Sequence, residues 1–251
     1  MVRCPSREGI WSPYTDTWRC TDLRQSGGIS QMGLQDFIAG QLRQPTGFFG
    51  RHIAARYMTR VNVEINQRTL EALSVQPDDR VLEVGPGPGD LMNRIVPMVP
   101  RGSVTGIDFS PEMIDVCSKR FAPLVESGRI ELRCASADAM PCAGGQFTKA
   151  CTVHTIYFWP DPAAVFREFW RVLGTGGRLV VSFFPVVAME KLRATAAFAR
   201  YDGEEVARLM EQAGFRDIRV LAGKDRRGEF LCVAGSKQAG LPRQVQSEGR
   251  I

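Results

Sequence analysis

The sequence predicts an α/β fold: a doubly wound, mostly parallel seven-stranded sheet of the Rossmann-like kind, with an antiparallel last strand and a helical N-terminal cap. Three observations carry this. From residue 80 onward, short apolar runs alternate with helical periodicities, the pattern of a parallel sheet covered on both faces. The first of these runs stops in a glycine loop, VLEVGPGPGD at residues 81–90. The last two runs are joined by a short charged turn and must therefore pair antiparallel.

Taken in order, residues 1–31 are rich in Ser, Gly, Thr, Arg and Pro, show no sustained period and read as a disordered extension, despite Trp11, Tyr14 and Trp18. Residues 32–79 read as the cap. Within it 34–43 and 50–73 look helical, with Ile53, Tyr57, Val61, Ile65 and Leu70 at three- and four-residue steps. Residues 80–235 form the main domain. Strand 80–84 leads to the glycine loop and a helix near 89–98. Strand 103–108 leads to a helix from Pro111 to Phe121, and strand 129–135 to a loop at Met140–Gln146. Strand 147–154 precedes a helix from Pro162 to Leu173, for which Asp161 and Pro162 are a good cap and first-turn pair. Gly174-Thr-Gly-Gly turns into a strand at 178–184. Asp202 caps a helix that runs through Ala213 to Gly214. Strands 215–221 and 229–235 flank the turn Gly223–Gly228, and 236–251 is a polar tail.

Charge and cysteine content narrow the function. The net charge is +5, but residues 1–60 hold eight arginines against four acids, so the central region is close to neutral. An enzyme of nucleic acid carries its basic patch on the folded domain, which disfavours that partner. The seven cysteines include no C-x-x-C pair and no zinc-like spacing with His52 or His154. No metal is expected. Residues 1–20 lack an apolar signal region and no run is long enough to span a membrane, so the sequence reads as cytoplasmic.

The glycine loop selects the cofactor. A dinucleotide fingerprint needs a third glycine five residues after the first, and Asp90 stands there. Pro86 and Pro88 have no N–H to offer a pyrophosphate, and no G-K-[ST] follows to make a P-loop. A nucleoside without phosphates is the better match, and S-adenosyl-L-methionine fits. Gly85, Gly87 and Gly89 let the main chain approach it without a Cβ clash. Glu83, two residues before the loop, is placed for its ammonium. Asp108, at the tip of the next strand and 23 residues beyond Gly85, is placed for the ribose hydroxyls. Asp138, between Ala137 and Ala139, is placed for the adenine amino group, with Phe109 and Met113 available to pack on the ring.

With these residues in view, 80–184 resembles the class I S-adenosylmethionine-dependent methyltransferases, type 11, in the group that includes the ubiquinone/menaquinone-biosynthesis enzymes. The stretches that carry the likeness are VLEVGPGPGD, VTGIDFSPEMI, CASADAMP and TIYFWPDPAAVFREFWRVLGTGGRLVVSF. Residues 47–79 are similar to the helical cap of such enzymes. Two departures stand out. Thr148 replaces the usual acid at the start of the fourth strand. His154 replaces Asn or another small polar residue at a position that faces the acceptor.

The resemblance implies methyl transfer to a small, lipophilic or aromatic acceptor, achieved by alignment and exclusion of water. His154 is the candidate for acid–base work or acceptor binding and Tyr157 for reaching the pocket; His52 is a weaker candidate base. Phe158 and Trp159 either wall the pocket or pack the following helix. Tyr57 and Asn62 are candidates to close over the cofactor, and one of Phe183 and Phe184 should face the site. Competing readings are methylation of RNA or protein, a non-catalytic cofactor-binding module, and a nicotinamide reductase. Against the first stands the absence of an Asn/Asp-Pro-Pro-aromatic tetrad, since this chain reads His154-Thr-Ile-Tyr157. Asp90 opposes the reductase.

Overall fold

The computed structural model describes residues 62–190 and 198–238. The expected extension, most of the cap (with His52 and Tyr57) and the tail beyond 238 lie outside the described residues. Helix α1 (Val63–Leu73) comes first, then β1 (Arg80–Val84), α2 (Asp90–Ile95), β2 (Ser103–Asp108), α3 (Pro111–Arg120), α4 (Ala122–Glu126) and β3 (Ile130–Cys134). The second half runs β4 (Phe147–Val153), α5 (Pro162–Val172), β5 (Leu173–Phe183), α6 (Val186–Met189), α7 (Gly203–Gln212), β6 (Arg216–Asp225) and β7 (Gly228–Ser236).

The seven strands form one sheet in the order β3-β2-β1-β4-β5-β7-β6. Strands β1 to β5 pair in parallel, and β7 runs antiparallel between β5 and β6. The strand order reverses between β1 and β4, so the carboxyl end of β1 lies at the switch point of the sheet. Strand β1 is buried from Val81 to Val84, as a central parallel strand covered on both faces must be.

Local chemistry sets the element ends. Ser110 Oγ accepts from the Met113 amide, Asp161 Oδ1 from Ala164 and Asp202 Oδ1 from Glu205, so the three longer helices of the domain begin on side-chain caps. Helix α5 buries Val165, Phe166, Phe169 and Val172, one stripe at helical spacing. The expected helix 89–98 stops at Ile95 and tightens into a 3₁₀ turn at Val96–Met98, because Pro97 cannot donate back to the preceding turn. The expected helix ending at Phe121 stops at Arg120 for the same reason: Pro123 prevents continuation, and α4 starts afresh.

Strand β5 begins at Leu173 rather than 178. Leu173 pairs with Phe147 across a bulge, and Gly176 and Gly177 exchange backbone bonds with Lys237, so the glycine turn is absorbed into the sheet. The turn expected at 223–228 shortens to Arg226–Arg227. Helix α1, the described end of the cap region, packs on β4 to β7. Its Thr69 hydroxyl bonds Ser182 Oγ at 2.7 Å, and Arg178 donates to the Ala72 carbonyl. Thr148 stands in for the acid of the resembling family by bridging: its hydroxyl donates to Asp79 at 2.7 Å and accepts from the Arg80 amide at 3.0 Å. That joins the starts of β4 and β1.

Candidate functional site

The loop after β1 is wired shut by its own backbone. Gly85 N–H donates to Ile107 O, Gly87 N–H to Asp108 Oδ2 at 3.3 Å and Gly89 N–H to Pro86 O. With Pro86 and Pro88 lacking donors, no glycine amide of this loop remains for a phosphate. The loop carbonyls are tied as well: Cys117 Sγ reaches Gly87 O, and Arg120 reaches Pro88 O at 2.7 Å while pairing with Asp90 at 2.8 Å. Asp90, which spoils the dinucleotide fingerprint, thus fixes α3 to the loop.

All three glycines have positive φ, 72°, 52° and 82°. A Cβ on Gly85 would overlap Thr155 Cγ2, and one on Gly89 would sit 2.5 Å from the Phe121 ring, whereas Gly87 faces open space. We expect Gly85→Ala and Gly89→Ala each to lower stability by about 3 kcal/mol from strain plus overlap. Gly87→Ala should cost only about 1–2 kcal/mol, from backbone strain alone. Denaturant midpoints of the three variants check this ranking.

Two carboxyl groups meet at the loop. Glu83 on β1 is 3% exposed, and its Oε2 is buried with no partner. Burial, then the neighbouring charges of Asp90 and Asp108, push its pKa up to about 8, against a bond from the Met92 amide. Asp108, at the end of β2, accepts from Ser110 N at 2.9 Å and from Gly87 N. Burial raises it to about 6, with those two amides opposing. Two desolvated acids, one holding an unsatisfied oxygen, lack a cation. An ammonium at Glu83 and hydroxyls at Asp108 would supply what they lack, so the residues present fit an adenosyl amino-acid cofactor.

The remaining cofactor candidates lie around the ends of β2 and β3. Phe109 is half exposed, and Met113 is buried in the first turn of α3. Ala137 and Asp138 are partly buried and Ala139 is exposed in the loop after β3.

On the other side of the loop lies the end of β4. Thr152 Oγ1 donates to Val84 O at 2.8 Å, and the Thr152 and Thr155 hydroxyls are hydrogen-bonded, which sets Thr155 beneath Gly85. His154 between them is left-handed, at φ 59°, with its amide donating to Ser182 O. Its ring lies 4.8 Å from that of Phe184, its Nδ1 is 3.2 Å from the Tyr157 hydroxyl, and its Nε2 is buried without a partner. Burial, with the Arg227 charge adding and Asp225 opposing, holds the imidazole down to about 3, so it is neutral at any ordinary pH. Tyr157 is buried and its hydroxyl accepts from the Phe184 amide; burial pushes the phenol above its usual range. Phe184, not Phe183, faces this group. Trp159 packs edge-on against Phe166 in the core, and Phe158 lies against Phe198.

The sequence reading missed Arg227. From the β6–β7 turn its guanidinium lies 4.6 Å over the Phe184 ring, pairs with Asp225 at 2.7 Å and donates to Asn62 at 3.1 Å. The charge of the turn was visible; its reach across the sheet was not. Among the described residues, no group of three or more His, Cys, Asp or Glu is placed to hold a metal ion, and no helix is long and apolar enough to cross a membrane.

Comparison with known proteins finds methyltransferases. Residues 82–181 match a family model described as a methyltransferase domain. The chain is 26% identical over 187 residues to the uncharacterized methyltransferase YdaC of Bacillus subtilis, covering 74% of this chain and 99% of that one. It is 32% identical over 116 residues to the ubiquinone/menaquinone biosynthesis C-methyltransferase UbiE of Geotalea daltonii, covering 46% of this chain and 49% of the relative. The chain thus spans about half the length of that quinone-pathway relative. A solved SAM-dependent methyltransferase of Thermotoga maritima superimposes with a TM-score of 0.59 at 22% identity, over 76% of this chain and 98% of that one.

Proposed function

Because this chain belongs to the class I S-adenosylmethionine-dependent methyltransferases, type 11, we propose that its acceptor is a small lipophilic or aromatic molecule, of the kind a hydroquinone represents. The observation that carries the acceptor class is the aromatic and neutral wall beside the glycine loop: Phe184, Tyr157 and an uncharged His154. Such a wall suits an apolar ring better than a charged nucleotide or peptide. The name of the Geotalea relative supports the same class.

When bound, S-adenosylmethionine supplies an electrophilic methyl group. The residues of this chain supply position. Glu83 would hold the ammonium and Asp108 the ribose, with Gly85, Gly87 and Gly89 admitting the cofactor and the Asp90–Arg120 pair keeping the loop rigid. Phe109 and Met113 would flank the adenine, with Ala137, Asp138 and Ala139 at its edge. Rigid alignment and a dry pocket are the main contributions needed for transfer from a sulfonium. Tyr157 acts by positioning, since its hydroxyl is held by the Phe184 backbone.

We assign both the cofactor site and the acceptor wall to residues 80–235, with 32–79 as the cap and 1–31 outside the site. Deleting 1–31 is expected to leave S-adenosylmethionine affinity unchanged by calorimetry. Incubation with isotopically methyl-labelled cofactor and a host extract, split into small-molecule, RNA and protein fractions, tests the acceptor class. Label in the small-molecule fraction, absent with Asp108→Ala, is the expected result. Label in RNA or protein would replace that acceptor class and leave the cofactor assignment intact.

A further inference from the structure

The hydrogen-bond chain at the end of β4 bears on the tautomer of His154. The Phe184 amide donates to the Tyr157 oxygen. The phenolic proton then has two acceptors, Phe184 O at 3.5 Å and His154 Nδ1 at 3.2 Å, and the longer one is at the limit of a hydrogen bond. Donation to Nδ1 leaves the imidazole proton on Nε2, and Nε2 is the buried, unpartnered atom. A residue strained into the left-handed region, beside the glycine loop, with a buried and unsatisfied donor, is built to meet something that brings an acceptor.

We propose that His154 presents Nε2–H as a fixed hydrogen-bond donor to an oxygen of the methyl acceptor, which selects acceptors whose nucleophilic atom is, or is conjugated with, that oxygen: enols, phenols and hydroquinones. This rests on the methyl-transfer reading above. His154 is then a donor and not a general base, because the nitrogen that faces the acceptor already carries its proton. The acceptor's electron pair forms the bond to the methyl carbon as the carbon–sulfur bond breaks, and the proton the acceptor gives up leaves to water. A donor held at the oxygen stabilises the anionic form that attacks. Burial keeps the imidazole from protonating, and the charge of Arg227, which lies over the Phe184 ring and pairs with Asp225, adds to that.

The chain has only two histidines, so long-range ¹H–¹⁵N correlation spectra, with His52→Gln for assignment, report the His154 tautomer in the full-length protein. Nε2–H is expected at pH 7 in the free chain, shifting toward Nδ1–H in Tyr157→Phe. An Nδ1–H form in the unmodified chain would overturn the proposal. With S-adenosylhomocysteine bound, 2-hydroxy-1,4-naphthoquinone, an oxyanion at pH 7, should move the Nε2 resonance, and naphthalene should not. No difference between the two at millimolar concentration would overturn the acceptor class. Failure of the methyl-transfer reading shows separately, as absence of S-adenosylhomocysteine binding in the same sample.

Discussion

Asp108→Ala should abolish measurable S-adenosylmethionine binding. The carboxylate has two tasks at once. It holds Gly87 and Ser110 by their amides, which sets the glycine loop against the end of β2. It also has lone pairs left for two ribose hydroxyls. Charge-assisted bonds of this kind contribute about 1.5–3 kcal/mol each. Losing two of them weakens affinity by roughly a hundredfold to ten-thousandfold at about 1.4 kcal/mol per factor of ten. Asp108→Asn should fall between, because the amide can still accept one bond. Calorimetric titration of both variants checks the order, and unchanged affinity in Asp108→Ala would remove Asp108 from the site.

The second large effect is on pH. In the free chain Glu83 stays protonated up to about 8, and an ammonium ligand must displace that proton. Affinity should therefore rise with pH, by up to about tenfold per unit, toward pH 8. Above that the cofactor's own amino group, with an ordinary value of about 7.7–8.0 for an α-amine, loses its charge and affinity falls again. Glu83→Gln should lower the maximum and flatten the acid limb above about 6, leaving only the Asp108 contribution below it.

The stability of the free chain moves the other way. The folded acid keeps its proton between its unfolded value of 4.5 and about 8 while the unfolded chain has lost it. Stability thus declines through that window, and below 4.5 the penalty is absent. Glu83→Gln removes the decline, so this variant should be more heat-stable than the parent at pH 9 while binding the cofactor less well. Melting curves across pH read that opposition directly.

What the sequence disclosed and what it hid divide along physical lines. Helix caps at Asp161 and Asp202, the alternation of strands and helices, and the order of loop glycines are local signals, and the elements stand where they point. The positions of Asp108 at the end of β2 and of Glu83 one residue before the end of β1 were legible because a short strand fixes which residues reach its tip. The extension of β5 through Gly174–Gly177 was not, since it depends on Lys237, far along the chain, bonding those glycines. Arg227 was invisible for a similar reason: its partner Asn62 lies 165 residues away. The locking of Tyr157 onto the Phe184 backbone likewise arises only when β4 and β5 lie side by side.

The measurement that bears most directly on the whole account is a pair of calorimetric titrations of the full chain at pH 8, one with S-adenosylmethionine and one with NADH. The wired glycine loop, with every glycine amide already bonded and Glu83 lacking a cation, predicts saturable binding of the first and none of the second. Binding of NADH, or of neither, would contradict it.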